Sequence, residues 1–207
     1  MPRLFVAIAI DAAVIERLAA VRVEGPDEAR AEVSVAAPSE LAAEVSDAAP
    51  DRPRGTWRSV KPAAMHLTLA FLGDVDAARV PAVLEAMTAA AAGFPPFGLT
   101  AEGVGAFPNA SRARVLWAGV AGDVAVLAGL QADLATRLSA EGFALEDRAY
   151  RPHITLARAR VPGPVPVAVA SGPRFGRWHV SELKLIESHL GTDGSRYEVR
   201  GTAALGG

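Results

Sequence analysis

The chain has 207 residues, 51% hydrophobic and 21% charged, which is the composition of a folded globular protein rather than a disordered one. Its formal net charge of −2 argues against a broad duplex-binding surface but leaves room for a local basic pocket. With no cysteine, disulfides, thiolate catalysis and thiolate metal sites are excluded, and a cytoplasmic location is the expectation. No apolar run approaches the roughly 18 residues of a membrane span. The N-terminal run Leu4 to Ile10 is stopped by Asp11, too short for a signal peptide, and reads better as a buried first strand.

In chain order, residues 4–10 predict that strand, and Ala12 to Val23 a helix with Ile15, Leu18 and Ala19 at helical spacing. The stretch 24–55, with prolines at 26, 38, 50 and 53 and no aromatic residue, predicts a mobile insertion with at most a short helix around Ser39 to Ser46. Order resumes at Trp57 to Val60, followed by a strand Met65 to Leu72 that ends at Gly73. A helix is expected over Asp76 to Ala92, a strand over Gly98 to Ala106, a turn at Phe107-Pro108-Asn109, and a strand over Arg114 to Val120. The next helix runs from Val124 to Glu141 and is stopped by Gly142, and Pro152 to Arg158 repeats the earlier strand. Pro162 to Pro173 reads as a loop. Two closing strands, Trp178 to Ser188 and Tyr197 to Ala203, flank a turn at Gly191 to Gly194.

A weak internal symmetry carries the chemistry. Each half holds a strand of the form His-apolar-Thr-Leu, at His66-Leu67-Thr68-Leu69 and His153-Ile154-Thr155-Leu156. Side chains alternate faces along a strand, so His66, Thr68 and Ala70 should share one face and Leu67, Leu69 and Phe71 the other. His153 and Thr155 likewise separate from Ile154 and Leu156. Histidine and threonine then stand about 7 Å apart, a spacing that admits a phosphate. Imidazole titrates near neutrality, so one of two facing histidines can serve as base and the other as acid. The hydroxyls can donate to the oxygens on which charge develops.

A zinc site would need further ligands, and neither copy has Asp or Glu at strand spacing. Gly103-x-Gly105 is too short for a dinucleotide fingerprint, and no Gly-x-Ser-x-Gly elbow is present. His179 and His189 read as surface residues. Arg151, two residues before His153, and Arg114, at the start of a strand, are candidates for substrate contact because guanidinium binds phosphate oxygens bidentately. Arg158 and Arg160 have the pattern of rim residues.

These motifs resemble the 2H phosphoesterase superfamily, specifically the RNA 2′,3′-cyclic phosphodiesterases, also called the 2′-5′ RNA ligase family. The resemblance rests on Arg3 to Ile8, Trp57, His66 to Gly73, Phe107-Pro108, Arg114 to Gly119, Arg151 to Arg158, and Ser188 with the turn leading to Tyr197. It spans nearly the whole chain except residues 24–55, which form a longer connection than is usual in the family. It implies one α+β domain, residues 1–207, of two pseudo-symmetric lobes, with two small antiparallel sheets lining a central cleft and helices outside. It also implies hydrolysis of an RNA 2′,3′-cyclic phosphate end to a 2′-phosphomonoester, with no metal and no cofactor. In that scheme His66 donates a proton to the leaving 3′ oxygen, His153 activates water, and Thr68 and Thr155 hold the phosphate. Two alternatives stand beside it: 2′-5′ ligation or cleavage by the same histidines, and a non-catalytic module that binds nucleotides or RNA ends. A monomer that does not associate with membranes is expected.

Overall fold

The computed structural model describes residues 1–21, 57–165, 174–191 and 194–206. The 24–55 insertion and most of the Pro162 to Pro173 loop therefore lie outside the described residues. In chain order the elements are β1 (Arg3–Ile8), α1 (Ala12–Ala19), β2 (Trp57–Ser59), β3 (Leu67–Asp74), α2 (Val80–Ala91), β4 (Phe97–Phe107), β5 (Ala113–Gly122), α3 (Val124–Ala140), β6 (His153–Gly163), β7 (Arg174–Val180), β8 (Glu182–Gly191) and β9 (Gly194–Ala204). Short 3-10 turns lie at Pro62–Ala64, Ala77–Arg79 and Ala110–Arg112.

The strands run β7-β4-β5-β6-β3-β1-β8-β9, every pair antiparallel, with β2 against part of β6. The halves β7-β4-β5-β6 and β3-β1-β8-β9 meet at a single residue pair, Leu67 opposite Ile154. The two expected small sheets are thus two four-stranded halves, joined where the two motifs touch. One expected strand divides: Trp178 to Ser188 spans both β7, which pairs with β4, and β8, which pairs with β1. The chain passes from one edge region to the other through Ser181, with no glycine or proline to mark the change.

Helix faces close the core. In α3, Leu127, Leu130, Leu134 and Leu138 recur at helical spacing and are fully buried. Truncating any one to alanine is expected to cost about 2–5 kcal/mol. The helix ends in a left-handed Gly142 (φ 77°), whose N–H bonds Ser139 O while Phe143 N–H bonds Leu138 O. These are the two bonds of a Schellman cap, and buried Phe143 supplies its apolar contact. Arg79 lies 4.0 Å above the Phe143 ring and donates to Glu141 O, tying the cap to the start of α2. The cap aims the chain at Tyr150 and the second motif.

Candidate active site

Each histidine stands at the mouth of a motif strand with the same local support. His66 Nδ1 lies 2.9 Å from Ala64 O, and His153 Nδ1 lies 2.7 Å from Arg151 O, both two residues upstream. A carbonyl only accepts, so both Nδ1 atoms carry hydrogen and each Nε2 is left to work toward the cleft. The Pro62–Ala64 turn supplies the first carbonyl. Pro152 follows the second and holds Arg151 extended.

The Leu67–Ile154 pair sets the register between the strands. Extended by one residue each way, it puts His66 opposite Thr155 and Thr68 opposite His153, with the imidazoles on a diagonal. Groups so placed lie within about 8 Å, close enough to surround one phosphate. Among the described residues neither threonine hydroxyl has a hydrogen-bond partner, although both residues are half-buried.

Beyond the threonines both strands depart from simple alternation, and in the same way. Leu69 has no partner on β1, since Ala7 pairs with Thr68 and Val6 with Ala70. Leu156 is likewise skipped by β5, where Trp117 pairs with Thr155 and Leu116 with Ala157. At each bulge the Leu-Ala pair turns inward together: Leu69, Ala70, Leu156 and Ala157 all belong to the core. The residue after it, Phe71 or Arg158, then swings onto the histidine's face. Ala70 is therefore not on the cleft face, as alternation predicts, and Phe71 is: it is 52% exposed, with its ring 5.8 Å from Phe5.

Aromatic rings wall each imidazole. Phe5 lies 4.7 Å from His66 and Tyr197 meets it edge-on at 5.3 Å. Phe107 meets His153 edge-on at 5.0 Å, with Trp117 behind at 6.4 Å. Trp117 lies flat over Gly105, where a Cβ would come within 2.2 Å of its ring. That close approach, rather than any phosphate cradle, is what this glycine permits.

Burial is the main cause that lowers the pKa of His66 to about 4, and the charges of Arg158 and His153 push the same way, against the hydrogen bond that Nδ1 donates to Ala64 O. His66 is therefore neutral at pH 7. The guanidinium it feels is that of Arg158, neither Arg151 nor Arg114. Both of those are exposed: Arg151 contributes its main-chain oxygen, and Arg114 sits in an irregular step of the β5–β6 ladder. Tyr150, unmarked in the sequence reading, donates from Oη to Thr68 O at 3.1 Å, and burial pushes its phenol pKa up. Gln131 reaches the neighbouring Leu69 O at 3.3 Å.

His179 is exposed on β7, and His189 stands between Glu187 and Glu198 at 3.7 and 3.3 Å, an arrangement closed by Arg200. Among the described residues no group of three His, Asp or Glu side chains is placed to hold a metal ion. Nor is any helix there long and apolar enough to cross a membrane.

Comparison with known proteins identifies the family. A family model described as LigT like Phosphoesterase matches residues 33–117 and 121–197. A Geobacillus stearothermophilus RNA 2′,3′-cyclic phosphodiesterase is 41% identical over 106 residues, 51% of this chain but 33% of that protein's length. The Thermus thermophilus protein of the same name is 34% identical over 154 residues, 72% of this chain and 75% of its own. The crystal structure of E. coli LigT complexed with 3′-AMP superposes over 99% of this chain and 98% of that one, with TM-score 0.72 and 25% identity. With both motifs, the strand order and the family match in agreement, the chain belongs to the LigT-like phosphoesterases.

Proposed function

We propose that the chain hydrolyses the 2′,3′-cyclic phosphate at the end of an RNA to a 2′-phosphomonoester, using His66 and His153 as its acid and base. The observation that carries this is the matched pair of imidazoles, each with Nδ1 committed to the main-chain oxygen two residues upstream, which leaves both Nε2 atoms available for proton transfer. Water attacks phosphorus in line with the 3′ oxygen. His153 Nε2 takes the water's proton as the new P–O bond forms. The P–O3′ bond breaks, and His66 Nε2 supplies the proton that the 3′ oxygen gains. Each transfer typically contributes about 10²–10⁴-fold.

Thr68 and Thr155 donate to the non-bridging oxygens, on which negative charge develops. Because the resting His66 is neutral, its acid role requires a proton taken up with the substrate. The phosphate anion favours that by stabilising imidazolium. The relatives named RNA 2′,3′-cyclic phosphodiesterase and the LigT structure with 3′-AMP support the reading. Incubation with an oligoribonucleotide ending in a 2′,3′-cyclic phosphate tests it. A 2′-phosphate product is expected; a 3′-phosphate product, or an untouched end, would overturn it.

A further inference from the structure

The edge of β6 that meets β3 at Ile154 is taken over, a few residues on, by β2. Val60 N–H bonds Leu156 O at 2.8 Å, and Ser59, Arg58 and Trp57 then lie opposite Ala157, Arg158 and Ala159. Trp57 packs on the core and Ala157 is fully buried, so these two side chains face inward. The Arg58–Arg158 pair therefore faces the cleft, and both residues are exposed. Like charges directly opposite across a ladder repel, and among the described residues no carboxylate forms an ion pair with either. From Thr155 to Arg158 is three residues, about 10 Å of strand, which the long guanidinium arms shorten. Arg160, two residues further, continues the row on the same face.

The geometry points to a second anion subsite: Arg58, opposite Arg158, holds the 5′-phosphate of the nucleotide whose cyclic phosphate is opened. This rests on the cleft taking a 2′,3′-cyclic phosphate end, and it deepens that reading. On one ribose the cyclic phosphate and the 5′-phosphate lie on opposite sides, one nucleoside apart, matching a first anion at the threonines and a second at the arginines. Two planar forks can take a phosphodiester bidentately, so the anion relieves the repulsion between the paired guanidinium groups. The consequence is selection for RNA ends over free cyclic mononucleotides.

The test compares a nucleoside 2′,3′-cyclic phosphate with the same compound bearing a 5′-phosphate, in the wild type, Arg58→Gln and Arg58→Lys. In the wild type the 5′-phosphate is expected to raise kcat/KM about tenfold through KM, the effect of one charge-assisted contact. Arg58→Gln should bring that ratio close to one and Arg58→Lys should keep part of it, while the melting temperature of Arg58→Gln stays level or rises. A wild-type ratio of one, or an unchanged ratio in Arg58→Gln, would overturn the subsite. Calorimetric binding of a nucleoside 2′,5′-bisphosphate against the 2′-monophosphate reads the same ratio without turnover. If neither cyclic compound is opened, the proposed activity fails while this binding ratio still decides the subsite.

Discussion

The phenol of Tyr150 donates a hydrogen bond to the main-chain oxygen of Thr68, 3.1 Å away. It joins the approach to the second motif directly to the strand of the first. Only the Leu67–Ile154 pair otherwise links β3 to β6 in the ladder. Tyr150→Phe keeps the ring and removes the bond, so a stability loss of about 1 kcal/mol is expected. The larger effect should fall on kcat, about three- to tenfold, with KM little changed, because a misplaced strand disturbs the approach of the two histidines. Steady-state kinetics with a denaturant melt check this; an unchanged kcat would remove Tyr150 from the positioning of the site.

Stability should depend on His66 in a defined direction. Its folded pKa, about 4, lies below the unfolded value of 6.5, so folding favours the neutral ring. The contribution is complete above pH 6.5, falls as pH drops through that value, and levels off below about 4. The full difference is on the order of 3 kcal/mol. Chemical denaturation of the wild type and His66→Gln from pH 7 to pH 4 should converge by that amount; parallel curves would contradict it.

A neutral resting His66 assigned the acid role must gain a proton on binding. Calorimetry with a nucleoside 2′-monophosphate at pH 7, in buffers of different ionisation enthalpy, should show uptake of up to about one proton that His66→Asn abolishes. Absence of uptake would make His66 the base and His153 the acid.

Gly105→Ala drives a methyl into the Trp117 ring, which has a rigid strand beneath it and His153 beside it. Overpacking of this kind costs about 1–3 kcal/mol. Activity should fall further than stability alone explains, as the wall of the second imidazole shifts. Thermal melts and kcat measured on the folded variant distinguish the two effects.

The shared strand face of His66 with Thr68, and of His153 with Thr155, was legible because strand alternation is a local rule and the unit occurs twice. Phe71 and Arg158 were not. Their facing depends on a one-residue skip against β1 and β5, and alternation carried past Leu69 puts Ala70 in the cleft and Phe71 in the core, the reverse of what is found. The repeated Leu-Ala after each motif was the available signal, since the same two residues turn inward in both halves. The strand boundary at Ser181 shows in the sequence only as a slip in the alternation, with Trp178 and Val180 buried before it and Leu183 and Leu185 after it, while β7 and β8 pair with different partners. Phe5, Phe107, Trp117 and Tyr197 reach the histidines from four other strands, and Tyr150 reaches Thr68 O from the segment before β6; only the tertiary pairing brings them there.

The central claim is that two imidazoles share the proton transfers. Its most direct measurement is the rate at which His66→Ala and His153→Ala, each shown folded, open an oligoribonucleotide 2′,3′-cyclic phosphate. Each substitution is expected to lower kcat by at least about 10²-fold. Wild-type turnover in either variant would contradict the two-histidine mechanism.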